Sequence, residues 1–89
     1  MRIIDQWGSS DIPYASTAIM LDDGNIIAYM PAVTGNNLKV LLAEYSDSHV
    51  ARKAMKKLRI AYQRHENEFE SAIGNLTEYF QFPSEEQLL

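Results

Sequence analysis

The chain has no cysteine, so disulfide scaffolds, cysteine-ligated zinc and thiol nucleophiles are excluded at once. It lacks any apolar run near the roughly 18 residues that a membrane span requires. Its first residues, Met1-Arg2-Ile3-Ile4-Asp5, turn polar too early for a secretory signal, which makes the cytoplasm the expected address. There is no internal repeat, no low-complexity tract and no glycine-rich phosphate loop. Nor is there a Ser-His-Asp spacing or a persuasive pair of carboxylates, so the expectation is a protein that is not an enzyme and holds no metal or cofactor. Basic residues are scarce almost everywhere: outside residues 49–65 there are only Arg2 and Lys39, against all twelve acidic residues.

What is present suits one small globular domain. At 89 residues a second core would be too small to stand alone. Hydrophobic residues at 46% and charged residues at 22% set the chain apart from a disordered one. A domain of this length buries only about 60–65% of the surface its unfolded chain exposes, so pairing with a second copy would add to a thin stability margin. The expected division is a single α+β domain over 1–83 and an acidic tail over 84–89.

Along the chain, Ile3 and Ile4 suggest a short strand, and QWGSSDIPY a turn-rich connection in which Asp11, Pro13 and Tyr14 serve turn chemistry. Residues 15–30 read as a β-hairpin about the DDGN turn, with Gly24 and Asn25 suited to positive φ. PAVTGNN is a second loop. LKVLLAEY, 38–45, is apolar on both faces, with Leu38, Val40 and Leu42 on one and Leu41, Ala43 and Tyr45 on the other. That pattern fits an interior strand covered from both sides.

Ser46 or Asp47 can cap the next helix, predicted over 47–65. Val50, Ala51, Ala54, Met55, Leu58, Ala61 and Tyr62 fill one arc of about 140° at 100° per residue. The complementary arc holds Arg52, Lys53, Lys56, Lys57, Arg59 and Arg64, six of the eight basic residues, with Ile60 among them. A weaker helix is expected from about 66 to 77, and YFQFP as a final strand stopped by Pro83. The predicted whole is a mostly antiparallel sheet of four to five strands, with the long amphipathic helix on one face and a shorter C-terminal helix. Leu58 is the expected centre of the helix–sheet contact.

The stretches MRII, DIPY (11–14), AEYS (43–46), KAM..LR.AY (53–62) and FQFP (80–83), in this order and spanning most of the chain, carry a likeness. The chain resembles small uncharacterised proteins encoded by bacteriophages and prophages of Gram-positive bacteria. It departs from them at Ala15, where many members carry an acid, and in its short segment between the long helix and FQFP. The resemblance implies a setting, a phage or prophage in a bacterial cytoplasm, and no activity, cofactor or site residue.

The candidate interaction surface is therefore Arg52, Lys53, Lys56, Lys57, Arg59, Ile60 and Arg64. Its ordinary reading is the solvated side of a core helix. Its functional readings are contact with another protein, self-association, or nucleic acid. Six phosphate contacts would give a log–log salt slope near −5, at about −0.9 per contact. Base readout wants amides or arginines aimed at base edges, and Gln63 is the one amide in 51–64. Protein binding, with self-association included, is the leading expectation and nucleic-acid binding the alternative. His49 and His65 lie about 24 Å apart on an unbroken helix and cannot share a metal in one chain. Asp22 and Asp23 lack the rest of a calcium loop and read as turn residues.

Overall fold

The computed structural model describes residues 1–31, 37–71 and 79–89, with side chains described for 1–30, 38–66 and 79–89. The described elements run β1 (Arg2–Ile4), β2 (Asp11–Pro13), β3 (Ala18–Asp22), β4 (Asn25–Pro31), β5 (Asn37–Glu44), α1 (Ser48–Ser71), β6 (Tyr79–Gln81) and α2 (Glu85–Leu88). The class is α+β, but the strands form two three-stranded sheets, β2-β1-β6 and β3-β4-β5, instead of one sheet of four to five. The DIP segment, expected as turn chemistry alone, is a strand: Ile12 pairs with Ile3 antiparallel, while Phe80 pairs with Ile3 in parallel. Beyond Ile4 the chain turns sharply, with the Gly8 amide on the Asp5 carbonyl at 3.1 Å and Gly8 at φ 76°. A single backbone bond among the described residues then reaches β5, from Gln6 N to the Leu42 carbonyl at 2.7 Å, so the sheets adjoin without a shared ladder.

The hairpin of β3 and β4 forms about the expected turn, with Asp22 paired to Asn25. The residue at positive φ, however, is Asp23 at 52°, not Gly24 or Asn25. Glycine is needed at 24 for closeness. A Cβ there would fall on the Tyr45 carbonyl, and the Tyr45 amide already donates to the Gly24 carbonyl at 2.8 Å.

Strand β5 is an edge strand of its sheet, not the interior strand its two-sided pattern suggested. A register shift opposite Ile26 and Ile27 leaves Leu42 as an extra residue between Leu41, paired to Ile27, and Ala43, paired to Ile26. Such a bulge breaks the period of two. Leu42 and Ala43 are consequently both fully buried, and Tyr45 lies in the same core.

Helix α1 is 24 residues long and runs unbroken to Ser71, so the helix expected to start near residue 66 is at first the same helix. Neither glycine nor proline stands at 66–71 to stop it. Residues 72–77 of that expectation, and 32–36 of the PAVTGNN loop, lie outside the described residues. Asp47 caps α1, its Oδ1 accepting the Val50 amide at 3.0 Å. The predicted apolar arc faces inward: Val50, Ala51, Ala54 and Leu58 are buried, and Met55 packs beside them. They join Ile3 and Ile12 from one sheet, Phe82 just past its strand β6, and Ile26, Ala28, Leu42 and Ala43 from the other sheet. The acidic stretch 84–89 is no free tail. It forms α2, whose Leu88 enters this core.

Candidate binding surface

All six cations predicted for the outer side of α1 are exposed, and Ile60 stands among them 39% exposed. The fold nevertheless divides them. At 100° per residue, Lys57 and Arg64 fall within about 20° of each other on one border of the basic arc. Arg59 falls about 140° away from Arg64 on the other border. On the first border, Lys57, Ile60, Ala61 and Arg64 recur at spacings of three, one and three, and Phe80 from β6 comes up beside them. These five residues line a groove of about 330 Å³. Ile60, Ala61 and Phe80 give it an apolar lining, and its two cations, Lys57 and Arg64, lie about two helical turns apart.

On the second border lies a cleft of about 520 Å³, lined in part by Tyr14, Ile19, Met55, Arg59 and Tyr62. The rings of Tyr14 and Tyr62 stack across it with centroids 4.4 Å apart and planes 29° from parallel. The Tyr62 hydroxyl bonds to Glu66, and this bond and the carboxylate charge push its pKa up. The stack ties the segment after β2 to α1, so its first role is in packing. Arg52, Lys53 and Lys56 line neither the groove nor the cleft and are exposed between them on the outer side of α1.

Phe80 is the residue that sequence reasoning missed at this surface. Its signal was weak, because YFQFP looked only like a terminal strand. It is placed by a junction at the other end of β6. The Tyr45 hydroxyl donates to the Pro83 carbonyl at 2.7 Å, and the Gln6 amide nitrogen donates to the same oxygen at 3.2 Å. The Gln6 amide oxygen accepts from Glu44 N at 3.0 Å, and Glu85 Oε1 accepts from Ser46 N at 2.6 Å. Burial, and then the Glu85 charge, push the Tyr45 pKa up to about 12, so the phenol stays protonated and donating. Several stretches that carried the resemblance thus meet physically: MRII and FQFP through β1 and β6, AEYS and FQFP through Tyr45 and Pro83, DIPY and the helix through the tyrosine stack.

A second local device fixes the turn that follows β1. Asp5 is 2% exposed, and its carboxylate accepts from Ser9 N at 2.6 Å, Ser9 Oγ at 2.6 Å and Ser10 N at 3.2 Å. Burial acts to raise its pKa, but these donors together outweigh it and hold the carboxyl below its ordinary value. At the tip of the turn Trp7 is 56% exposed.

Among the described residues no three of His, Asp and Glu converge as metal ligands. His49 is exposed and His65 half-buried, at separate places along α1. An ion pair, Arg2 to Asp11 at 2.8 Å, lies on the β1–β2 pair. No helix of the described residues is long and apolar enough to cross a membrane. No protein-family model, curated protein or solved structure matches the chain.

Proposed function

We propose that this chain is a non-catalytic protein-binding module, whose partner is an acidic protein segment with an apolar anchor residue. The observation that carries the reading is the groove of Lys57, Ile60, Ala61, Arg64 and Phe80, where an apolar floor and a cationic rim lie together. A phosphate backbone would use the cations and leave Ile60 and Phe80 idle. An acidic segment with one large aliphatic or aromatic side chain uses both, since the anchor's burial supplies affinity and the rim charges steer encounter and orientation. The resemblance to phage and prophage proteins supports a bacterial host cytoplasm as the setting, and an accessory role there.

The test compares tagged wild-type protein with two variants in nuclease-treated bacterial lysate. One is Lys57→Glu/Arg64→Glu and the other is Ile60→Asp, each first checked for folding by circular dichroism. The reading expects a stoichiometric partner with wild type that survives nuclease and is lost with both variants. Recovered material that vanishes with nuclease, and that depends on the cations but not on Ile60, would move α1 onto a nucleic-acid backbone instead. In that case binding should weaken with salt along a log–log slope near −5 for six contacts, at about −0.9 each.

A further inference from the structure

The sheet β3-β4-β5 has a second face that the core does not use. Its register places three rows across it: Ala18–Tyr29–Lys39, Met20–Ile27–Leu41 and Asp22–Asn25–Glu44. The alternate residues Ile19, Leu21, Ile26, Ala28 and Val40 belong with the helix in the core, whereas Met20, Ile27 and Leu41 stand outside it. Met20 is 57% exposed and Leu41 39%, on either side of Ile27 at 5%. The middle row is thus an apolar stripe across all three strands, with one cation, Lys39, in the row on one side and two carboxylates, Asp22 and Glu44, in the row on the other.

We propose that a second copy of this chain packs on this face, in a two-fold dimer whose axis follows the Met20–Ile27–Leu41 row. The charges choose between the two ways of stacking such a sheet on itself. With the axis along the row, perpendicular to the strands, β5 lies over its counterpart in reverse. Lys39 of each copy then meets Glu44 of the other, Asp22 meets the small Ala18, and the exposed Met20 and Leu41 each meet their own counterparts along the axis. With the axis along the strands, β5 lies over β3, Glu44 meets Asp22 twice and Lys39 meets only Ala18. The first arrangement forms two opposite-charge pairs and the second two like-charge pairs, so only the first is self-complementary. Packed sheets keep their strands within about 30° of alignment, which leaves this correspondence intact.

The size of the face sets the strength. Three strands about 4.8 Å apart and five residues at about 3.4 Å give a footprint of roughly 14 by 17 Å. An interface of that size stays below ~1,200 Å² in total, in the class of weak, reversible contacts. Self-association should therefore appear at micromolar concentrations and above, and it involves none of the groove residues on α1.

Sedimentation equilibrium over about 1–500 µM, the range suited to a weak interface, tests this directly. Wild type should show a monomer–dimer equilibrium. Lys39→Glu and Glu44→Lys should each weaken it about tenfold, since each converts two attractive contacts into repulsive ones. The double variant Lys39→Glu/Glu44→Lys should restore it, because the pairs are reversed but kept. Met20→Asp, at the exposed end of the apolar row, should abolish it independently, and circular dichroism reports that each variant is folded. Lys57→Glu/Arg64→Glu should leave it unchanged, which separates this interface from the helix groove. A wild-type monomer throughout the range overturns the proposal. So does indifference to the single charge reversals, or a double variant no better than either single one.

Discussion

The two residues at the tip of the β3–β4 hairpin should respond to substitution with opposite signs. A Cβ added at Gly24 would fall on the carbonyl oxygen of Tyr45, 3.1 Å from its carbon and 3.3 Å from the amide nitrogen of Asp47. These are backbone atoms at the entry to α1, held by the bond from Tyr45 N to Gly24 O at 2.8 Å and by the Asp47 cap. No side chain can swing aside, so Gly24→Ala must push the hairpin away from β5 and the start of the helix. Overpacking costs about 1–3 kcal/mol, and losing or stretching the hydrogen bond adds about 1 kcal/mol. The expected loss is therefore about 2–4 kcal/mol, a large part of the stability of a small domain. Asp23, at φ 52°, occupies the left-handed region at a cost of roughly 1–2 kcal/mol for an L-residue. Asp23→Gly removes that cost while giving up about 0.5–1 kcal/mol of backbone entropy, so it should be neutral or stabilising by up to ~1 kcal/mol. Urea denaturation of both variants, followed by far-ultraviolet circular dichroism, gives both values. Gly24→Ala within ~0.5 kcal/mol of wild type, the range of an ordinary surface change, would refute the close-approach argument.

Two further predictions concern the core residue Leu58 and the buried carboxylate of Asp5. Leu58 is 1% exposed yet lines the tyrosine cleft, so water can fill part of the space a truncation leaves; Leu58→Ala should cost about 2–3 kcal/mol, the lower part of the usual range of large-to-small core changes, and an unchanged melting curve would show the helix to be rotated otherwise. Asp5→Asn sets an amide against three donors and should cost about 2–3 kcal/mol at neutral pH by chemical denaturation. Because folding lowers the Asp5 pKa, its contribution is present above the unfolded value of about 3.9 and is lost as pH falls through the folded one. The gap between wild type and Asp5→Asn should hence narrow on acidification below about pH 4, and a gap that widens there would mean that the carboxylate is not the stabilised form.

The sequence by itself determined the elements whose signals are local. The apolar arc of α1 follows from spacing alone, and Val50, Ala51, Ala54 and Leu58 are buried as that spacing requires. The same spacing put all six cations and Ile60 outside, and the DDGN turn closed the hairpin. Ser46 and Asp47 together marked the start of the helix, and the fold chose Asp47 as the cap. Tertiary structure decided everything that depended on which strand meets which. Residues 11–13 are too short and too rich in turn formers to read as a strand, and become one because β1 offers them an edge. The bulge at Leu42 has no local mark, since it answers the register that β4 imposes, and it undid the alternation read from residues 38–45. Leu88 looked like the end of a solvated acidic stretch until a hydrophobic site formed for it. The groove is divided in the same way: the sequence placed Lys57, Ile60 and Arg64 on one helix face, but only folding brought Phe80, sixteen residues past Arg64, beside them. Helical periodicity is written within a few consecutive residues, whereas sheet pairing and the surfaces between elements are set by contacts between distant ones, which a local pattern does not encode.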